Sequence, residues 1–280
     1  MYLVTGATGN VGHHVVDQLL SAGKSVRVVT RDPSKVAHWN RHVQVANGDV
    51  ADSDFFIRAL DGAEAVFVMN GGLSTETFAR NMSAAKDYGS PRIVFLSSIL
   101  VHHPQMKLGG LHRAMEDSVR NRGLHGHFLH PGGFMSNAYQ WIPSIKADAT
   151  VRNATGAGRS APVAPEDIAA VAARALVEPD SVPQSCDITG PELLSVRQQV
   201  DILSHTLGRT IQCVDVPVEA AVQGMIKSGV PAETAAAVGE AVGGTAEGRF
   251  EIVADTVEKV MGRRATSFEE WAKRHASRFA

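Results

Sequence analysis

Several common features are scarce in this 280-residue chain. It has only two cysteines, Cys186 and Cys213, and no Cys-x-x-Cys pair or histidine cluster at metal-ligand spacing, so the sequence predicts neither a disulfide framework nor a bound metal. Its 27 basic and 29 acidic residues nearly cancel, which argues against nucleic acid or an anionic membrane as partner. No stretch approaches the ~20 apolar residues of a membrane-spanning helix. We therefore expect a cytoplasmic protein.

What the sequence has instead is a regular alternation over its first 130 residues. Short runs rich in β-branched residues alternate with longer segments of helical period, which predicts a parallel sheet with crossover helices. The predicted strands are Tyr2–Thr5, Ser25–Thr30, Val43–Ala46, Ala65–Met69, Arg92–Ser97 and His125–His130. The predicted crossover helices are Asn10–Ala22, Asp52–Leu60, Thr75–Tyr88 and Gly110–Arg122. The fold class is therefore α/β, a Rossmann-type doubly wound parallel sheet.

The pattern changes after Pro131, where a turn-rich stretch precedes a predicted helix at Glu166–Val177. Ser195 is placed to cap a helix that ends at Leu207, and Thr210–Val216 is typical of a short strand. We expect a dinucleotide-binding Rossmann domain over residues 1–155. Residues 156–280 are expected to form a smaller, mainly helical C-terminal lobe for the substrate, interleaved with the sheet.

A glycine-rich segment lies between the first strand and the first helix, with the sequence Thr-Gly-Ala-Thr-Gly-Asn-Val-Gly over residues 5–12. Gly6 permits a tight turn, Gly9 lets backbone amides approach a pyrophosphate, and Gly12 lets the helix lie close to the sheet. Three such glycines also arise by chance, but a strand before and a helix after them favour a dinucleotide site. The predicted contacts are Gly6, Thr8, Gly9, Asn10, Val11 and Gly12.

The end of the second strand predicts which dinucleotide is bound. Arg31 offers a planar donor group to a 2′-phosphate and Lys35 could assist it, which favours NADP(H). The alternative is that Asp32 holds the ribose of NAD(H) and Arg31 is a solvated loop residue. Further cofactor contacts are expected from Asp49 and Val50, and from Asn70 and Gly71 after the fourth strand. Asp49 could equally be a turn aspartate that caps the next helix.

Taken in order, several motifs resemble the NmrA-like group of atypical short-chain dehydrogenases/reductases over nearly the whole chain. They are the glycine segment 5–12, Arg-Asp-Pro-Ser-Lys at 31–35, Val-Phe-Leu-Ser-Ser at 94–98, His-Pro-Gly-Gly-Phe-Met at 130–135, Asp-Ile-Ala at 167–169 and Ile-Thr-Gly-Pro-Glu at 188–192. The resemblance implies NADP(H) as the usual cofactor. It also implies one of several activities, because the family includes quinone-type reductases, biosynthetic reductases and proteins that only sense the nucleotide.

The chain departs from the usual short-chain dehydrogenase chemistry, since it contains no Tyr-x-x-x-Lys. His112 and Glu116 stand at the matching positions, one helical turn apart, so that the carboxylate could orient the imidazole or raise its pKa and let it donate a proton near neutral pH. A surface contact without chemistry is the alternative. Ser98 is the third catalytic candidate, and Ser97 is expected to line the cofactor cleft at the same strand end.

The loop that begins at Pro131 and Gly132 is expected to pass over the nicotinamide. Phe134, Met135 and Tyr139 would form an apolar wall for the substrate, although packing in the core is an equal alternative for Phe134 and Met135. The leading hypothesis is an NADP(H)-dependent reductase of a small apolar carbonyl, enone or quinone, acting as a monomer or homodimer. The alternatives are a non-catalytic NADP(H) sensor and a non-redox isomerase or cyclase.

Overall fold

The computed structural model of the protein describes residues 1–279, and at Asn40 it describes the backbone alone. The strands in this part of the chain are β1 Tyr2–Val4, β2 Val26–Thr30, β3 Val43–Asn47, β4 Ala65–Met69, β5 Arg92–Leu96, β6 Gly126–Pro131, β7 Thr150–Asn153, β8 Arg159–Ser160, β9 Ser185–Ile188, β10 Leu194–Ser195 and β11 Gln212–Asp215. The α-helices are α1 Gly12–Ser21, α2 Ser53–Ala59, α3 Thr75–Asp87, α4 Lys107–Arg120, α5 Ile142–Asp148, α6 Pro165–Val177, α7 Val196–Leu207, α8 Val218–Lys227, α9 Ala232–Ala246, α10 Thr256–Met261 and α11 Phe268–Phe279.

Seven strands form the main sheet in the order β3-β2-β1-β4-β5-β6-β9, and every neighbouring pair is parallel. This confirms the predicted Rossmann-type sheet. The six predicted strands are present, with ends that differ by one residue where they differ at all. The seventh strand, β9, was not predicted, because its four residues Ser-Cys-Asp-Ile lack the β-branched run that marked the others.

Helices cover both faces of the sheet, which explains why its central strands are apolar on both sides. On one face, side chains of β1 such as Val4 pack against α1 and α6 through Val15, Leu19 and Val171. On the other face, Leu3 of the same strand packs with apolar side chains of α2, α3 and α4, namely Phe56, Phe78, Met82, Met115 and Val119. Helix α6 and strand β9, both from the second half of the chain, therefore belong to the layers of the main sheet.

A third hydrophobic cluster lies in the C-terminal part, where α7 and α11 pack around Phe268, Trp271 and Phe279. The predicted cap is confirmed: Ser195 forms a capping box with Gln198 at the start of α7. The predicted strand Thr210–Val216 is present as β11, which pairs in parallel with β7. Within residues 1–279 no helix has both the length and the apolar content that crossing a bilayer requires.

Candidate active site

The strand order reverses between β1 and β4, whose connections leave the sheet in opposite directions. In open α/β sheets this reversal opens a crevice at the carboxyl ends of the strands, where ligands bind. Thr5 follows β1 there, and its hydroxyl donates to the carbonyl of Phe67 in β4. The glycine segment, the ends of β4, β5 and β6, and the start of α4 all meet this edge of the sheet, and it is the candidate site.

The glycine segment has a geometry that side chains would prevent. Gly6 has φ of +62°, and a Cβ on it would lie 2.3 Å from the sulfur of Met69. A Cβ on Gly12 would lie 2.1 Å from the carbonyl oxygen of Gly6, so α1 approaches the turn more closely than any other residue allows. A Cβ on Gly9 would meet the same oxygen at 3.2 Å. The turn therefore leaves the backbone bare on its outer side.

That bare backbone suits a diphosphate. In the described part of the chain, the amides of Thr8, Asn10 and Val11 donate to no acceptor. They lie directly before α1, whose amino-terminal end carries a partial positive charge that attracts anions. The side chain of Asn10 points away from these backbone amides, since its Nδ2 donates to the hydroxyl of Ser136 at 3.4 Å. The segment thus fits the pyrophosphate of a dinucleotide through its main chain.

Two candidates for cofactor binding follow β2, the basic Arg31 and the acidic Asp32, and their surroundings differ. Asp32 accepts hydrogen bonds from the amide of Ser34 at 3.1 Å and from its hydroxyl at 2.6 Å, so this carboxylate caps the following 3₁₀ helix. Those bonds lower the pKa of Asp32. The Arg31 side chain is 81% exposed and has only a loose contact, 3.6 Å, with the Asp49 carboxylate. Arg31 is therefore free to meet a phosphate, and Asp32 uses one carboxylate oxygen, Oδ1, for its cap.

The turns that follow β3 and β4 are held by hydrogen bonds of the main chain and of short polar side chains. Asp49 accepts from the amide of Ala51 at 2.9 Å within the turn, but the residue that caps the next helix, α2, is Asp52. The carbonyl of Val50 accepts from the buried Asn81 side chain at 2.8 Å. After β4, Asn70 accepts from the amide of Gly72 and Gly71 has φ of +57°, which makes a tight turn at the crevice edge. Lys35 lies exposed on the 3₁₀ helix that follows Arg31.

A buried polar cluster lies where β5 and β6 end against α4. The carboxylate of Glu116, fully buried, accepts from Ser97 at 2.6 Å, from His130 at 2.8 Å and from Arg120 at 2.7 Å. Burial alone would raise the pKa of Glu116, but the hydrogen bonds from His130, Ser97 and Arg120 outweigh it and lower the pKa to about 2. Glu116 is thus a stable anion that ties α4 to two strand ends.

The same cluster continues toward the surface. The second ring nitrogen of His130 lies 3.3 Å from Asp187 of β9, and Asp187 also contacts His102 at 2.7 Å. Burial lowers the pKa of His130, but its bonds with Asp187 and Glu116 outweigh that effect and raise it. His130 was known from the sequence only as part of the motif at residues 130–135. Asp187 was not expected to be a site residue, because its strand, β9, was not predicted. Polar residues at neighbouring strand ends were the available signal.

His112 stands apart from this cluster, which corrects the prediction that Glu116 orients it. Glu116 is occupied by three other donors, and Nδ1 of His112 is buried with no partner in the described residues. The His112 ring packs against Phe95. Burial lowers the pKa of His112 to about 4, against a smaller opposing effect of Glu116. The expected rise in pKa is therefore wrong, and at neutral pH the imidazole is uncharged.

The other candidates near β5 and β6 lie at the crevice edge. Ser98 is half-buried, and its oxygen accepts from the amide of Leu100 at the start of the turn Ile99–His102, which leaves its own proton to donate. Pro131 ends β6, and the amide of Gly132 donates to Ile188 at 2.9 Å. A Cβ on Gly132 would lie 3.3 Å from the carbonyl of Ala161, so this loop is held tightly against its neighbour.

Two of the three expected substrate contacts lie elsewhere. Met135 is buried in the C-terminal hydrophobic cluster. Tyr139 packs against Trp271 and Phe279 of α11 in that cluster. The apolar wall was predicted from their closeness to Pro131 in sequence, but the 3₁₀ helix Met135–Trp141 turns both side chains into the core. Phe134 is only partly buried and packs at the margin of the main sheet.

Known proteins resemble this chain along its whole length. A profile of the NAD(P)H-binding family matches residues 6–179, starting at the first glycine of the turn. A (4-alkanoyl-5-oxo-2,5-dihydrofuran-3-yl)methyl phosphate reductase of Streptomyces griseus subsp. griseus is 34% identical, over 100% of this chain and 99% of its own. An NAD(P)H azoreductase of Xenophilus azovorans is 32% identical, again over 100% and 99%.

A solved structure agrees with this fold. The NADPH-dependent quinone oxidoreductase of Escherichia coli, crystallised with NADPH, superposes with a TM-score of 0.84 over 98% of this chain and 99% of its own. Its sequence identity is 21%, so the match concerns the fold. The carboxyl edge of the sheet, where the free amides, Arg31 and His112 lie, is therefore the edge at which this fold presents a ligand crevice.

Proposed function

We propose a function from the premise that this chain belongs to the NAD(P)H-binding family of NmrA-like, atypical short-chain dehydrogenases/reductases. It is an NADP(H)-dependent oxidoreductase that reduces a small apolar carbonyl, enone or quinone. The observation that carries this proposal is the turn at Gly6 and Gly12, whose bare amides open the crevice at the start of α1. The two relatives described above, 34% and 32% identical to this chain, are both named as reductases.

The cofactor is held by residues of both sheet halves. The amides of Thr8, Asn10 and Val11 bind its diphosphate, and Arg31 with Lys35 binds a 2′-phosphate. The exposure of Arg31, which leaves its guanidinium open to a 2′-phosphate, favours NADP(H) over NAD(H). Asp49, Val50, Asn70 and Gly71 border the adenine side. When bound, the reduced nicotinamide supplies a hydride.

The residues near the ends of β5 and β6 position the acceptor. His112 is uncharged at neutral pH and acts through hydrogen bonding, as a neutral donor to the oxygen on which negative charge develops. Ser98 has a free hydroxyl proton for the same oxygen. Glu116 and Ser97 act as positioning residues, because the fully buried Glu116 carboxylate accepts from Ser97, His130 and Arg120. It thereby holds α4, which carries His112, against both strands.

The acceptor is an electron-poor, conjugated molecule. A quinone or enone takes a hydride readily and can collect its proton from water, so the lack of a Tyr-x-x-x-Lys does not prevent turnover. The alkanoyl-furanone of one relative and the azo bond of the other are also conjugated acceptors. Phe134, at the end of the Pro131–Gly133 loop, supplies the apolar contact on the substrate side.

The wider setting is part of the same proposal. Residues 156–280 serve the substrate side of the crevice, although α6 and β9 complete the sheet layers of the domain over residues 1–155. The protein works in the cytoplasm as a monomer or homodimer. Two unpaired cysteines, Cys186 and Cys213, accord with a reducing compartment.

The test is turnover by the purified protein with NADPH and a panel of quinones, enones and azo compounds, followed by loss of the reduced-nicotinamide absorbance. We expect oxidation of NADPH with at least one acceptor. His112→Ala should lower kcat at least ~10-fold, whereas His125→Ala, which removes an exposed histidine outside the site, should not. Unchanged kinetics of His112→Ala would remove His112 from the mechanism.

A second candidate is an NADP(H) sensor without turnover. The burial of His112 with an unpartnered nitrogen and the absence of the tyrosine and lysine pair favour it. One relative, a nitrogen metabolite regulation-like protein of Gibberella fujikuroi, is named for regulation. Tight binding of NADPH with no oxidation by any acceptor of the panel would favour this candidate over the reductase.

A further inference from the structure

We propose that His102, His130 and Asp187 form a binding site for one divalent transition-metal ion, with zinc as the expected occupant. The three residues come from different elements: the turn Ile99–His102, the end of β6 and the strand β9. One ligand atom from each, two imidazole nitrogens and a carboxylate oxygen, lies within 4.8 Å of the others. The proposal does not depend on the reductase activity.

The donor set and its spacing suit zinc. Zinc binds imidazole nitrogen and carboxylate oxygen at ~2.0–2.2 Å in a tetrahedron, which separates ligand atoms by roughly 3.3–3.6 Å. Nδ1 of His130 already lies 3.3 Å from Oδ1 of Asp187. Nε2 of His102 lies 2.7 Å from the same oxygen, a hydrogen-bond distance. A small movement of the His102 ring, with the metal in place of the shared proton, completes three protein ligands.

A second, independent feature is the support behind His130. Nε2 of His130 lies 2.8 Å from the fully buried carboxylate of Glu116 and donates its proton to it. This bond holds the ring with Nδ1 toward Asp187 and His102. Metal-binding histidines commonly donate their other nitrogen to a buried carboxylate in this way, which fixes the tautomer and makes the ligand more basic. Ser97 and Arg120 hold the carboxylate in turn.

The cluster is also accessible. The side chain of His102 is 41% exposed and that of Asp187 is 26% exposed, whereas His130 is 7% exposed. An ion can therefore enter from solvent on the side of His102 and keep a water molecule as its fourth ligand, as in open zinc sites. The three ligands are far apart in the sequence, which is why no metal-ligand spacing was visible there.

A bound ion would cross-link the edge of the candidate active site. The ion would join the turn that follows Ser98 to β6 and to β9. Strand β6 ends at Pro131, and the carbonyl of Ile188 in β9 accepts from the amide of Gly132. The turn Ile99–His102 would then share one ligand sphere with β6 and β9, which are already paired in the sheet. Metal binding should therefore raise the thermal stability of the folded protein by mass action.

The test uses the intact protein after treatment with a chelator, at pH 8, where competition from protons is smaller. Zinc is titrated by calorimetry, cobalt(II) by visible absorption, and the unfolding temperature is measured with and without zinc. We expect one ion per chain, a tetrahedral cobalt spectrum and a rise in unfolding temperature. His102→Ala should weaken zinc binding at least ~100-fold, since it removes a direct ligand. Asp187→Asn should weaken it as well.

The matched control is His125→Ala, because His125 is an exposed histidine outside the cluster. It should bind zinc as the unaltered protein does. Equal zinc affinity in the unaltered protein and in His102→Ala would overturn the proposal, and so would the absence of any zinc binding. In either case the three residues are a hydrogen-bonded cluster only. Since His102 is half-exposed, its variant is expected to fold, and the loss of the zinc-dependent rise in unfolding temperature distinguishes ligand loss from misfolding.

Discussion

Replacing Arg31 with alanine tests cofactor selectivity most sharply. The guanidinium is 81% exposed, its only described ion pair is the 3.6 Å contact with Asp49, and Asp32 is held by Ser34. Only the 2′-phosphate distinguishes NADPH from NADH. Arg31→Ala should therefore weaken NADPH binding and leave NADH binding nearly unchanged.

The size of the loss follows from the surroundings. A hydrogen bond to a charged group contributes about 1.5–3 kcal/mol net. The exposure of Arg31 and the neighbouring carboxylate of Asp49 place the expected effect at the lower end, about 1.5 kcal/mol, which is roughly a tenfold rise in Kd. Because the contact is exposed, the difference should shrink as salt is added.

The assay is a calorimetric titration of both dinucleotides into Arg31→Ala and into Arg41→Ala. Arg41 is an exposed arginine at the end of the same 3₁₀ helix, so its removal controls for the loss of one positive charge. Arg41→Ala should bind both cofactors normally. Equal losses of NADPH and NADH affinity in Arg31→Ala would refute the phosphate role, and an unchanged NADPH affinity would do so as well.

Three further predictions concern stability. Glu116→Ala leaves buried donors unpaired and should lower the free energy of unfolding by about 3–5 kcal/mol in a urea titration. The side chain of its neighbour Asp117 is 47% exposed and pairs with Arg120 near the surface, so Asp117→Ala should change that free energy by no more than about 0.5 kcal/mol. Similar losses in the two variants would contradict the central place of Glu116. The pKa of His112 is about 4 in the folded protein and 6.5 ordinarily, so the unfolded chain binds that proton more readily and stability should fall as the pH drops from 6.5 toward 4. Between pH 7 and pH 4, the free energy of unfolding of His112→Phe should therefore fall by about 3 kcal/mol less than that of the unaltered protein. Equal dependence of this free energy on pH in the two proteins would show that His112 is not buried as described. Ser195→Ala removes the cap of α7 and should cost about 1 kcal/mol by the same urea titration, and no loss would mean that the capping box is unimportant.

The sequence was most informative where structure is set locally. Gly6 has a positive φ and Gly12 lies against the carbonyl of Gly6, and both features arise within this turn, so the turn could be located from the sequence alone. The capping role of Ser195 is equally local. The strands β1, β4 and β5 could be predicted because both of their faces are buried, and each is therefore a nearly continuous apolar run.

The parts that could not be predicted depend on contacts between distant segments. We predicted that His112 pairs with Glu116 because they are one helical turn apart. The Glu116 carboxylate instead accepts from Ser97 and His130, which lie at the ends of β5 and β6. The position of Asp187 in the site could not be predicted, because β9 lies far from β6 in the sequence and the two strands meet only in the folded sheet. Tyr139 was assigned to the substrate by its distance in sequence, whereas α11, more than a hundred residues later, draws it into the core.

The central claim is that the amides at the start of α1 hold the diphosphate of the cofactor, and its most direct test is a calorimetric titration of NADPH into Gly9→Ala. A methyl group on Gly9 meets only one backbone oxygen, at 3.2 Å, so the variant should fold while its bare surface is covered. Gly243→Ala, in open space on α9, is the matched control. We predict at least ~10-fold weaker binding in Gly9→Ala and unchanged binding in Gly243→Ala. NADPH affinity in Gly9→Ala equal to that of the unaltered protein, or no heat with the unaltered protein, would contradict the account.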